Sequence, residues 1–200
     1  MEAFSDGVLA VAITLLVLNI VVPTPGAHHD LAQDLGRRWP SYNAYAISFI
    51  TIGIIWINHH VMIARLREAD HTILILNNVL LLTIGLLPFA TNLLSTYLTQ
   101  SQGQHLAAAI YGGAFLAMAI AFWILNWHIL MRKTHLLHRQ LPQEERRRIL
   151  AWGFSGIPPY VIATAAAAAS QYATLAICAA IALFYALPVA SGQTRPADQA

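Results

Sequence analysis

The sequence predicts an all-α, polytopic membrane protein with six transmembrane helices per subunit, and three observations carry that reading. Of its 200 residues, 58% are hydrophobic and only 10% are charged, against roughly 25% charged in a soluble domain. The mean hydropathy is correspondingly high, at +0.58. The apolar residues are also gathered into runs at 4–22, 42–64, 72–98, 106–131, 149–170 and 172–189, each near the length of about 20 residues that crosses a hydrocarbon core about 30 Å thick. Such a chain has no room for a separate soluble domain, so residues 1–190 read as one six-span unit and 191–200 as a disordered tail.

Each run has its own signature. The first carries Glu2 and Asp6 where a removable signal peptide would carry basic residues, and it ends in Val21, Val22 and Pro23 instead of a small-residue cleavage site. It is therefore expected to remain as span one. Spans two, three and four are long, nearly charge-free runs. Leu141 to Glu145 reads as a cap before a short amphipathic start to span five, and the polar pair Ser170 and Gln171 divides an apolar stretch about two bilayers long into spans five and six as a hairpin. Trp39, Trp123, Trp127, Trp152 and His128 read as interface residues.

Charge orients the chain. Arg65 and Arg67 follow span two, Arg132, Lys133, Arg139, Arg146, Arg147 and Arg148 follow span four, and Arg195 follows span six, whereas Arg37 and Arg38 lie on the other side. By the positive-inside rule both termini are cytoplasmic. Because these residues serve topology first, a net charge of +2 does not support nucleic acid binding. The single cysteine, Cys178, excludes an internal disulfide and most thiolate metal sites.

Span one carries a stripe. With Val11 at zero on a helical wheel, Thr14, Leu15, Leu18 and Val22 fall within about 60° of it, while Asp6 points some 140° away. Such a stripe can pack on a neighbour, face lipid, or face an axis shared by several subunits, where rings of branched side chains gate by dewetting. Asp6 in or near the bilayer is costly unless paired, and so, on a smaller scale, is His59 in span two. A plain helix N-cap at the interface is the alternative for Ser5 and Asp6.

The run Phe4-Ser5-Asp6-Gly7-Val8, then Ala12-Ile13-Thr14 and Val22-Pro23, resembles the prokaryotic branch of the transmembrane protein 175 family, potassium channels related to a lysosomal and endosomal channel. Trp56-Ile57-Asn58-His59-His60 resembles the family's Trp-x-x-His element, and Asp70, Leu76-Asn77 and Leu87-Pro88-Phe89 resemble its span-three signature. The resemblance implies a homotetramer in a prokaryotic cell membrane that conducts potassium passively, other monovalent cations being left open, with span one of each subunit lining a central pore. It implies constriction rings at Val11, Leu15 and Leu18 with Thr14 as the polar pore-facing position, and no cofactor. Val11 is smaller than the Ile or Leu usual at that ring, which leaves Leu15 and Leu18 as alternative bottlenecks. It further implies that Phe4, Ser5 and Asp6 pack against Trp56 and His59 to brace span one. The family places an Arg four residues before the Phe, a position that here would precede Met1.

Other signals are weaker. Thr51-Ile52-Gly53 and Thr83-Ile84-Gly85 do not continue as a potassium filter and read as packing positions. His28, His29 and Asp30 are read as solvated, not as a metal site. The run Ala165 to Ala169 and the pair Gly112 and Gly113 permit close helix packing. No nucleophile and base pair or nucleotide loop points to an enzyme. The alternative from another class is a secondary or proton-coupled transporter, with Pro88 and the pair Pro158 and Pro159 as possible helix interruptions.

Overall fold

The computed structural model describes residues 1–20, 22–23 and 30–187. The expected tail at 191–200, the end of span six at Val189, and the loop histidines His28 and His29 lie outside the described residues. Nine α-helices occur among those described: α1 Glu2–Leu16, α2 Leu31–Arg37, α3 Trp39–Ile63, α4 His71–Gly85, α5 Leu87–Tyr97, α6 Gln104–Trp127, α7 Gln143–Phe154, α8 Ile157–Ala166 and α9 Gln171–Ala186. Together they make five stretches long and apolar enough to cross a membrane, plus the shorter apolar α9.

Several spans differ in detail from the sequence reading. Span one is helical only to Leu16 and closes with a tighter 3₁₀ turn over Val17–Asn19, so Val22 lies beyond the helical stripe. Span three is not one helix. It breaks between α4 and α5 at Leu86, because Pro88 in the first turn of α5 has no N–H to continue the ladder from α4. Span five likewise divides at Ser155 and Gly156, ahead of Pro158 and Pro159, into polar-faced α7 and apolar α8. Span four ends in a π-turn over His128–Arg132. The hairpin before span six is present, with the Ser170 hydroxyl accepting from Ala173 N–H to cap α9.

The central helix is α6, which packs on α4, α5, α8 and α9. Its Tyr111 and Phe115 meet edge-on at 4.8 Å, and Phe115 stacks on Tyr160 of α8 at 5.6 Å. Gly112 lets α8 close in: a Cβ there would lie 3.1 Å from the Thr164 Cα, whereas Gly113 faces open space. Buried hydroxyls pair within the bundle, Ser48 Oγ with Thr91 Oγ1 at 2.8 Å and with the Tyr111 hydroxyl at 3.2 Å, as an apolar medium requires. Trp123 also has a role inside the bundle. Its Nε1 donates to the Leu150 carbonyl and ties α6 to α7.

The loops sort to two ends. At one end, the segment after α3 pairs with the segment after α6, Arg67 N–H donating to Leu136 and His138 N–H to Arg65. Lys133 there meets Asp70, the N-cap of α4, at 2.6 Å. At the other end, the Gln171 amide donates to the Leu98 carbonyl and His105 Nδ1 to Ala167.

Candidate pore helix and its bracing network

Helix α1 has two chemically distinct faces. Ser5, Leu9, Ala12 and Leu16 are buried against the rest of the subunit, where α3, α4 and α5 pack on it. On the opposite side Phe4, Gly7, Val11, Thr14, Leu15 and Leu18 are exposed, Val11 at 56% and Leu18 at 70%. The four residues expected to line a pore therefore share the face that this subunit leaves uncovered. Phe4 corrects the sequence reading. It is 62% exposed and belongs to this open face, not to the bracing layer.

Within that face Thr14 differs from its neighbours. Its hydroxyl donates to the Val11 carbonyl at 2.9 Å, which uses the proton locally and leaves the oxygen lone pairs free to face a cation or water.

The bracing network is built on the buried face. Ser5, Asn77 and His59 are each 99% or more buried. Asn77 of α4 sits between the other two: its Nδ2 donates to Ser5 Oγ at 3.0 Å and its Oδ1 accepts from His59 Nε2 at 2.8 Å. Ser5 Oγ passes its own proton to the Met1 carbonyl at 3.2 Å. Three helices are thus linked by groups that satisfy one another out of reach of water.

Asp6 and His59 each find a different partner, His59 bonding Asn77 as above. Asp6 Oδ1 instead accepts from Trp56 Nε1 at 2.9 Å. Beside it, Glu2 meets His60 Nδ1 at 3.2 Å. Ser5, Asp6, Trp56 and His59 do come together at the α1–α3 contact, but through two separate links. Glu2, Asp6 and His60 place ligand-type atoms within 4.8 Å of one another. Their bonds to each other and to Trp56 make them a charge network at a helix start, where carboxylates are favoured.

Two residues to which the sequence reading gave no bracing role complete the picture, although Asn77 stood in its span-three motif. Asn77 was legible as the single polar side chain in a buried stripe of Ile73, Leu80, Leu81 and Ile84 at helical spacing. Asn19 was not. Its Nδ2 donates across the bundle to the Pro88 carbonyl at 3.1 Å, which fastens the far end of span one to the break between α4 and α5.

The chain is similar to known proteins in sequence and in fold. Residues 1–88 match the family described as endosomal/lysosomal potassium channel TMEM175. A potassium channel of Streptomyces collinus is 40% identical over 199 residues, 98% of this chain and 95% of that protein. The endosomal/lysosomal proton channel TMEM175 of Gallus gallus is 34% identical over 147 residues, 70% of this chain but 28% of its own length. The crystal structure of a lysosomal potassium-selective channel TMEM175 homolog from Chamaesiphon minutus superimposes with a TM-score of 0.81 at 36% identity, covering 92% of this chain and 94% of that one. Similarity over nearly its whole length, in sequence and in fold, makes this chain a member of the TMEM175 family of ion channels.

Proposed function

We propose that this protein is a potassium-conducting channel, assembled as a homotetramer with α1 of each subunit around a common axis. The observation that carries the reading is the division of α1. One face is held by a buried hydrogen bond between Ser5 and Asn77 of α4, which in turn bonds His59 of α3, and the other presents Val11, Thr14, Leu15 and Leu18 outward. A brace on one side and an uncovered branched stripe on the other suit a helix that lines a shared path. The names of the Streptomyces and Chamaesiphon proteins support potassium as the permeant ion.

The basic segments 65–67 and 132–148 share an end of the bundle with the start of α1. The positive-inside rule then puts that end, and both termini, in the cytoplasm of a prokaryotic cell. A transporter would use the helix breaks at Leu86 and at Ser155 and Gly156 as binding sites. No carboxylate lies in α3, α4, α5, α6, α8 or α9 to couple an ion there, and Asn19 occupies the Pro88 carbonyl at the first break.

Flux from potassium-loaded liposomes tests the proposal. Purified protein should discharge a potassium gradient, and Leu15→Asn or Leu18→Asn should raise the leak severalfold, because a polar ring stabilises water in an apolar constriction. Unchanged flux in both variants would remove α1 from the conduction path.

A further inference from the structure

Away from α1, a cavity of about 650 Å³ opens between α3, α6, α7, α8 and α9. Along α3 it is lined by Thr51, Ile54, Asn58 and Val61, and Arg65 follows just past the helix end. The four α3 residues lie on one helical face, and ten steps at about 1.5 Å rise give a wall about 15 Å long, about half of a hydrocarbon core about 30 Å thick. Its deep end is closed by Met118 and by Tyr160, both buried, while Trp152 and Val61 leave its side open.

The chemistry is graded along that length. The inner walls are apolar, and the mouth is lined by Arg65 of the α3–α4 segment and by Arg148 and one carboxylate, Glu145, of α7. Two guanidinium groups against one carboxylate leave an excess positive charge where the trough reaches the basic end of the bundle. Guanidinium pairs with phosphate in a bidentate geometry. Below the mouth Asn126 lines the trough, buried and with its Oδ1 unpaired, an acceptor suited to a hydroxylated head group.

We propose that this trough is a binding site for an anionic phospholipid, with an acyl chain between α3, α6 and α8 and the phosphate at Arg65 and Arg148. Basic pockets between spanning helices hold anionic head groups in this way. The site is separate from the α1 stripe, so it can fail while the channel reading stands.

Native mass spectrometry of the detergent-purified protein, titrated with phosphatidylglycerol or phosphatidylcholine of matched chains, tests the site. Wild type should retain phosphatidylglycerol at about tenfold lower lipid concentration than phosphatidylcholine, a difference of about 1.4 kcal/mol. Arg65→Gln with Arg148→Gln should erase that preference, and Ala119→Trp, which fills the trough from α6, should reduce retention of both lipids. Melting temperatures confirm that each variant is folded. Equal retention of the two lipids by wild type, an unchanged preference in the double arginine variant, or displacement of the lipid by inorganic phosphate would each overturn the proposal. So would retention of neither lipid, as expected if another copy of the chain covers the trough.

Discussion

Asn77 is the residue whose loss should be felt most widely, because its one amide serves two buried partners on two other helices. Asn77→Ala strands the His59 Nε2 proton and a Ser5 lone pair at once, and each unsatisfied buried group costs about 1–3 kcal/mol. The expected result is a clear drop in the melting temperature of the detergent-solubilised protein. Adding His59→Ala to Asn77→Ala should cost less than the sum of the two single changes, since the second removes a group already left unpaired. Strict additivity in that double-mutant cycle would mean that the two side chains are not coupled. Much of this site was legible in the chain: Ser5, Asp6, Trp56 and His59 all stand at the α1–α3 contact. Their pairing was not. A sequence displays which polar residues must find partners in a membrane, but an Asp and a His of opposite charge character look like mates, and only the backbone positions show Trp56 nearer to Asp6 and Asn77 nearer to His59.

Helix contacts depend on single glycines and on the ties between helix ends. Gly112 and Gly113 are adjacent in sequence, yet only Gly112 faces α8, with the Thr164 hydroxyl 3.0 Å and the Thr164 nitrogen 3.2 Å from where a Cβ would sit. Gly112→Ala should push α8 outward and destabilise by about 1–3 kcal/mol as overpacking does, whereas Gly113→Ala should leave the melting temperature unchanged or raise it. At the basic end, the ammonium of Lys133 and then the Ile73 N–H hold Asp70 below the usual carboxylate range. Because the folded value is depressed, this contribution is fully present above the unfolded value of about 3.9 and is lost as pH falls through the lower folded value. Asp70→Ala should therefore melt below wild type at neutral pH, and the gap should close on acidification. Hydropathy located the spanning stretches, because solvent preference is written residue by residue. Pro88 and the pair Pro158 and Pro159 marked where the breaks at Leu86 and at Ser155 and Gly156 could fall, but not that they do, because a proline in a membrane run can kink a helix or divide it, and the outcome depends on what receives the freed carbonyls. The Asn19 amide that fastens the start of α5, by donating to the Pro88 carbonyl, comes from 69 residues away, beyond the reach of any local pattern.

For the whole molecule, the question is how an apolar path could distinguish one monovalent cation from another. The exposed face of α1 offers no carboxylate ring within the stripe from Val11 to Leu18, and its one side-chain oxygen there is that of Thr14. If four copies of α1 meet at an axis, an ion passing Val11 and Leu15 must shed part of its hydration, and potassium sheds water at lower cost than sodium. Four Thr14 oxygens would replace some of the lost ligands. Because each hydroxyl proton is already committed to the Val11 carbonyl, these oxygens would present lone pairs, not protons, to the path, which suits a cation. A ring of adaptable hydroxyls should nevertheless discriminate less sharply than a fixed cage of carbonyls. Thr14→Ala deletes the oxygens and keeps the ring open, so the potassium-to-sodium permeability ratio should fall severalfold while current remains measurable. Thr14→Ser keeps the hydroxyl and its local acceptor and should largely preserve the ratio. Thr14→Val keeps the shape without the oxygen and should behave like Thr14→Ala, which separates ligand chemistry from pore width. Reversal potentials under bi-ionic conditions decide among these outcomes. An unchanged ratio in both Thr14→Ala and Thr14→Val would assign selectivity to the apolar rings alone.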